Sequence, residues 1–314
     1  MADRIITVFG ATGAQGGGLV RAILANPAGG FAARAVTRKP DSDAARALAA
    51  AGAEVVAADL DDAASVRRAV QGAYGAYCVT NFWEHFSPEK ELAQAATMAD
   101  AAAAAGLQHV IWSTLEDTRR FFAPDGRRMP VLMGKYNVPH FDAKGEADAL
   151  FTSKVPTTLL YTSFYWDNLI HFGMGPKRGP DGVLTFTLPI ADRRMAGIAV
   201  EDIGKCAFGI FREGATRIGT SVGLAGEHLD GAGMAAKLTQ ALGQTVRYDP
   251  VSPEQYRGLG FPGADDLGNM YQFFAEFEEP FLRARPVDVA RALDPELQTF
   301  DEFLAHNKDR IPLG

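Results

Sequence analysis

The run Ile5-Ile6-Thr7-Val8-Phe9 leads straight into Gly10-Ala11-Thr12-Gly13-Ala14-Gln15-Gly16. The first five residues carry no charge that alternates with apolar positions, which is the pattern of a strand buried on both faces. The glycines then open a helical stretch, 16–25, that stops at Asn26-Pro27 and Gly29-Gly30. Each glycine has a physical task in such a strand-turn-helix. Gly10 permits the tight turn, Gly13 lets the backbone approach a pyrophosphate, and Gly16 lets helix and strand pack closely. The helix N-terminus offers unpaired N–H groups and a partial positive charge to phosphate oxygens. A glycine-rich turn without a ligand is the plainer alternative, and the strand before and helix after argue against it.

The same rhythm continues outward. Strands at 32–37, 54–58, 73–80, 109–113 and 157–161 alternate with helices at 42–51, 62–70, 88–105 and 141–151. Regular alternation implies right-handed crossovers, so the expected fold is α/β, a Rossmann doubly wound parallel sheet with ligands outside the carboxyl ends of the strands. The alanines of 88–105 need no special reading, since Ala is the best helix former. After residue 161 the rhythm breaks into a Gly- and Pro-rich stretch, short strands near 183–186 and 194–198, and helices at 201–211 and 231–242. Two domains are expected. Residues 1–161 form a dinucleotide-binding Rossmann domain. Residues 162–314 form a smaller α/β domain for substrate or partner, some of whose segments pack back on the first.

Composition narrows the function. The chain has 314 residues, 47% hydrophobic and 22% charged, enough to bury a sizeable core. Its formal charge of −7 lacks the positive field that drives binding to phosphate backbones, so direct nucleic-acid binding is not expected. No apolar run reaches membrane-span length, and the N-terminus lacks a signal-peptide layout. Cys78 and Cys206 stand far apart, and the six histidines never fall at metal-ligand spacings. A reduced, cytoplasmic protein without a metal is the expectation.

The choice between NAD and NADP is made at the end of the second strand. There the chain reads Thr37-Arg38-Lys39-Pro40, with no acid to accept from a ribose 2′-OH. Two cations instead suit a 2′-phosphate, Arg38 bidentately, which favours NADP(H). Asp59-Leu60-Asp61-Asp62 ends the third strand, and an Asp there either accepts from the adenine amine or caps the next helix.

With these pieces placed, the chain resembles the NmrA-like family of atypical short-chain dehydrogenases, over nearly its whole length. The specific pieces are Gly10 to Gly17, Val36-Thr37-Arg38, Val79-Thr80-Asn81-Phe82-Trp83-Glu84 and His140-Phe141-Asp142-Ala143-Lys144-Gly145-Glu146, then Gly260-Phe261-Pro262-Gly263-Ala264 and Leu267-Gly268-Asn269-Met270. Family members include fungal nitrogen-metabolite regulators, NADPH sensors and bacterial quinone reductases. The resemblance implies an NADP(H)-binding Rossmann domain and a smaller domain forming one wall of a cleft. It implies Gly10, Thr12, Gly13, Gln15, Gly16 and Arg38 for the pyrophosphate and 2′-phosphate. Asp59 or Leu60 would lie near adenine, and Thr80, Asn81 and Phe82 along the ribose. Lys144 would reach the nicotinamide ribose, with Phe164, Tyr165 and Asn168 beside the nicotinamide. Some relatives carry a Lys where this chain has Gln94-Ala95-Ala96, so a cofactor contact from that helix is not carried over.

Ordinary short-chain dehydrogenases use Tyr-x-x-x-Lys, in which Tyr gives the proton to a carbonyl. Here His140 stands four residues before Lys144, and Tyr136 precedes Pro139 and so lies off the helix. Three residues are the catalytic candidates: Lys144, His140 and Ser113. His140 either transfers a proton or is a helix-entry residue without a catalytic task. Asp142 and Glu146 are too near in sequence to share the face of Lys144, so its ammonium is free to point at the carboxyl end of the sheet, where the nicotinamide ribose should lie. Hydride transfer to a quinone needs hydrogen bonds more than a strong acid. The leading reading is an NADPH-dependent reductase of a small planar acceptor, a quinone or enone. The alternative is a non-catalytic NADPH/NADP sensor that regulates a partner protein. Thr118–Pro139, with Phe121, Phe122, Met133, Arg119 and Arg127, exceeds ordinary connections and is either a cover or partner surface, or a peripheral flap. Phe82, Trp83 and Trp166 either line the cleft or belong to the core.

Overall fold

In the computed structural model, which describes residues 4–122 and 128–314, six strands form the centre of a parallel sheet. They are β1 (Arg4–Val8), β2 (Phe31–Thr37), β3 (Glu54–Ala57), β4 (Gly75–Cys78), β5 (His109–Thr114) and β6 (Thr157–Tyr161). The sheet order is Ser221–Gly223, β6, β5, β4, β1, β2, β3. The pairs from β3 to β6 are all parallel, with Val8 opposite Ala35 on one side and Tyr77 on the other. The chain leaves β1 toward β2 and returns to β4, so the strand order reverses beside β1. That reversal opens a crevice at the carboxyl ends of β1 and β4.

The helices between these strands are α1 (Ala14–Ala25), α2 (Asp43–Ala50), α3 (Ala63–Val70), α4 (Pro88–Ala104) and α5 (Pro139–Thr152). Side chains fix three of the starts: Ser42, Asp62 and Ser87 accept from Ala45, Ala64 and Lys90 backbone N–H groups. Pro88 and Pro139 occupy first-turn positions, where the missing N–H costs nothing. The alanine-rich α4 buries Ala95, Met98, Ala99, Ala101 and Ala102 against the sheet, so its small side chains serve close packing. Trp112 stacks on Phe151 in the same cluster, at 4.6 Å. Helix Val200–Glu213 lies on α1 by way of two glycines. A Cβ on Gly204 would fall 2.2 Å from Leu19 N, and one on Gly18 would fall 2.9 Å from Glu201 O.

Contacts among the described residues gather into two compact units. One takes in Met1–Asp117, His140–Thr162 and Val200–Val222, and the other Thr118–Pro139, Ser163–Ala199 and Gly223–Gly314. The second unit carries two three-stranded sheets. One runs Glu227–Asp230, Arg194–Ile198, Phe164–Tyr165, and the other Val246–Tyr248, Leu184–Phe186, Lys177–Arg178. Several of these strands are two to four residues long, too short to show a period in the sequence. No helix among the described residues is long and apolar enough to cross a membrane.

Candidate functional site

The glycine loop has the geometry its spacing predicts. Gly10 has φ +65°, the left-handed region. The Gly13 N–H donates to the Gly10 carbonyl at 2.9 Å, closing the turn. A Cβ on Gly16 would lie 2.5 Å from the Gly10 oxygen and 2.8 Å from the Phe9 oxygen, so only glycine lets α1 start flush against β1. The α1 N-cap is Gly13, which brings no side chain to the first-turn N–H groups, and that turn holds no acid. Thr12 and Gly13 are exposed. This helix end can therefore hold a phosphate group on backbone donors alone.

Gln15, one residue into α1, reaches the ends of two other strands. Its Oε1 accepts from Ser113 Oγ at 2.7 Å and from the Tyr77 hydroxyl. Ser113 and Gln15 are thus brought together, and the Ser113 proton points into Gln15. Tyr77 is fully buried in β4. Its place in an apolar run gave no sign of this role.

Arg38 and Lys39 are exposed just past β2. Arg38 is engaged: its Nη2 lies 2.5 Å from Glu84 Oε1. Asp59 is exposed and its Oδ1 accepts from the Asp61 N–H at 3.0 Å. Of the acids in this stretch, Asp62 is the one that caps α3, its side chain accepting from the Ala64 N–H. Leu60 is half-buried beside it. Gln94 donates to Asp61 Oδ1 at 2.9 Å, and Lys90 pairs with Asp61 Oδ2 at 2.8 Å. Hydrogen bonds from Lys90 and Gln94 hold the Asp61 carboxyl below its usual range.

The Lys144 ammonium lies just past the carboxyl end of β4, where partners outside its own helix hold it. Lys144 Nζ donates to Thr80 Oγ1 at 2.7 Å and to the Thr80 carbonyl at 3.2 Å, and it lies 2.8 Å from Glu91 Oε1. Thr80 Oγ1 in turn donates to Glu91 Oε1 at 2.5 Å. Sequence neighbours on α5 do not supply the partner; α4 does, across the end of β4. Burial alone would push the Glu91 carboxyl up. The Lys144 charge and hydrogen bonds from Lys144 and Thr80, with His85 Nε2 close by, outweigh it and hold the group at about 2. His85 Nδ1 accepts from the Ser87 N–H at 3.1 Å, and its Nε2 faces Glu91 Oε2 at 3.4 Å. Glu91 is the site residue that the sequence reading missed. An acid in the first turn of a helix is ordinarily a solvated group favoured by the helix dipole, and nothing local marks this one as buried.

Asn81 is exposed after Thr80, and Phe82 is buried. His140 packs in an aromatic nest, with ring centroids 4.7 Å from Trp83, 4.7 Å from Phe141 and 6.1 Å from Phe82. Phe82 therefore belongs to the core, while Trp83 is half-buried.

The remaining predicted residues lie in the second unit. Phe164 and Tyr165 pair parallel with Gly197 and Ile198, and Asn168 opens the short helix Asn168–His171. Trp166 is core: it is 1% exposed, packs on Phe300 and Phe303, and lies against Gly197. Tyr136 lies outside α5, bridged to Leu132. The described part of Thr118–Pro139 is tied to helix Ala264–Glu276. Asn269 Nδ2 donates to the Pro130 and Asn137 carbonyls at 2.8 and 2.6 Å, and Gln272 Nε2 to the Arg128 carbonyl at 2.7 Å. Arg257 Nη1 holds both amide oxygens at 3.0 Å, which fixes the orientation of the two donors. Phe121 packs edge-on against Phe273 and Phe277. Arg127 lies outside the described residues. Among those residues no group of three or more His, Cys, Asp or Glu could hold a metal ion.

A family model described as the NmrA-like family matches residues 2–304. The chain belongs to the NmrA-like family. It is 31% identical over 290 residues to the NmrA-like family domain-containing oxidoreductase FrzB of Cladobotryum sp, covering 86% of this chain and 83% of that protein. Among solved structures, this NmrA-like chain is similar in fold to Nmra, a negative transcriptional regulator. The form in complex with NAD superposes with a TM-score of 0.79 at 23% identity, and the form in complex with NADP with 0.77 at 22%. Each comparison covers 97% of this chain and 95% of the other. The triphenylmethane reductase of Citrobacter sp., complexed with NADP(H), shares the fold with a TM-score of 0.74 at 18% identity, over 96% of this chain and 99% of that one.

Proposed function

We propose that this NmrA-like protein is an NADP(H)-dependent reductase of a small planar acceptor, a quinone or an enone. The observation that carries the reading is a single edge of the sheet. The glycine loop follows β1, Thr80 follows β4, Ser113 is the next-to-last residue of β5, and the Lys144 ammonium is anchored there by Glu91 and Thr80. In this reading Gly10, Thr12, Gly13, Gln15 and Gly16 hold the pyrophosphate and Arg38 the 2′-phosphate. Asp59 and Leu60 border the adenine, and Thr80, Asn81 and Phe82 the ribose. NADPH, when bound, supplies a hydride. Lys144 contributes a positive charge that favours negative charge developing on the acceptor, with a reach fixed in advance by its two anchors. Phe164, Tyr165 and Asn168 are assigned to the nicotinamide.

Arg38→Ala is expected to weaken NADPH far more than NADH. One lost charge-assisted hydrogen bond is worth roughly 1.5–3 kcal/mol, or about 10- to 150-fold. Calorimetric titration of both dinucleotides checks it, and equal losses would remove Arg38 from the 2′-phosphate.

A second reading is a non-catalytic NADPH/NADP sensor acting on a partner protein. It is favoured by where the protons go: Ser113 donates to Gln15, and Lys144 is neutralised by a buried carboxylate. NADPH oxidation assayed across quinones, enones and aldehydes separates the two. Turnover with a quinone or enone supports the reductase, and tight NADPH binding without turnover of any acceptor leaves the sensor.

A further inference from the structure

We propose that Glu84 sets the preference of this protein between NADPH and NADH, by holding Arg38. The inference rests on the reading of the loop as a dinucleotide site and names a residue that reading does not assign.

Glu84 ends the short turn Phe82–Glu84 that follows β4, and Arg38 follows β2. The two reach each other across the carboxyl end of β1, at 2.5 Å. Both side chains are about half exposed, 57% and 42%, so the contact is reversible and open to a ligand. The surroundings are rich in acids. The Lys90 ammonium is raised by its hydrogen bond to Asp61 and by the charges of Asp61, Asp59 and Glu84. Glu84 thus touches Arg38 and acts on Lys90, together with Asp59 and Asp61.

The two dinucleotides meet this arrangement differently. A 2′-phosphate carries close to two negative charges and competes with the Glu84 carboxylate for one guanidinium fork. It must also sit near a like charge. A 2′-hydroxyl makes neither demand, and the Arg38–Glu84 pair survives beside it. Glu84 therefore weakens NADPH alone. Arg38 marks the site as one for a 2′-phosphate, and Glu84 reduces the margin by which it wins.

The test is titration of NADPH and NADH against wild type, Glu84→Gln, Arg38→Ala and the double variant, with Glu54→Gln as a charge control. Glu54 is an exposed acid paired with Arg34 at the start of β3, the opposite end of the sheet. Glu84→Gln is expected to tighten NADPH by about fivefold, the scale of one exposed ion pair, and to leave NADH within about twofold. On the Arg38→Ala background the gain should vanish, because Glu84 acts through the guanidinium. Glu54→Gln should move neither affinity. An unchanged NADPH-to-NADH ratio overturns the proposal. So does an equal gain on the Arg38→Ala background, which would mark a plain field effect, or a loss of NADH, which would mark direct contact with the ribose. If wild type binds neither dinucleotide, the functional reading fails and takes this inference with it. If it binds both and the ratio is fixed, the inference alone fails.

Discussion

Lys144→Met is expected to destabilise the protein by about 3–5 kcal/mol, because it leaves the Glu91 carboxylate buried without its cation. Glu91 is fully buried, and Lys144 is its nearest cation, at 2.8 Å. Adding Glu91→Gln to Lys144→Met removes the orphaned charge and should restore most of the loss, since replacing both members of a buried pair is often near neutral. Chemical denaturation of the three proteins checks it. A single variant as stable as the wild type would show that Glu91 is not held by Lys144.

The pair also has a pH signature. The Glu91 carboxyl is depressed from 4.5 to about 2. A depressed carboxyl contributes stability above its unfolded value, and that contribution is lost as pH falls from about 4.5 toward 2. The double variant should lack this part of the acid loss, on the order of 3 kcal/mol. It is also the right protein for kinetics, because it removes the ammonium without an uncompensated charge. In a reductase its single-turnover hydride transfer to saturating quinone should fall by about 100-fold, the scale of one lost charge-stabilising donor. In a sensor the change would be confined to cofactor affinity. A wild-type rate constant would remove Lys144 from the chemistry.

Gly16→Val should abolish useful binding of both dinucleotides alike. Its Cβ would stand 2.5 Å from the Gly10 oxygen, an atom of the backbone that cannot swing aside. Either α1 slides away from β1 or the turn opens, and both displace the amides that face the phosphates. Losing one charge-assisted bond would cost roughly 10- to 150-fold. Overpacking at this point should also lower stability by about 1–3 kcal/mol. The contrast with Arg38→Ala is diagnostic, since that change discriminates between the dinucleotides and this one does not. Titration and thermal melts on the same samples decide it. Unaltered affinity for either dinucleotide would show that the loop does not carry the phosphates.

The strand-turn-helix at residues 5–25, the alternation that builds the parallel sheet and the cations after β2 are all legible in the sequence. Each follows a local rule: a period of 3.6 against an unbroken apolar run, a glycine where φ is positive, and a fixed count from the glycines to Arg38. What the Lys144 ammonium does is not local. Thr80 is 64 residues from Lys144, Ser113 is 98 from Gln15, and Glu84 is 46 from Arg38. These partners meet only because parallel strands bring their carboxyl ends to one edge. Glu91 looks like any first-turn acid until α4 is laid against the sheet. Asn269, one of the residues that carried the family resemblance, acquires its task only when helix Ala264–Glu276 meets the carbonyls of Pro130 and Asn137. The sequence by itself determined the backbone path and the phosphate loop, because backbone conformation is set by neighbours along the chain. The state of every charged group in the site was left to the tertiary structure, because a charge is fixed by its neighbours in space.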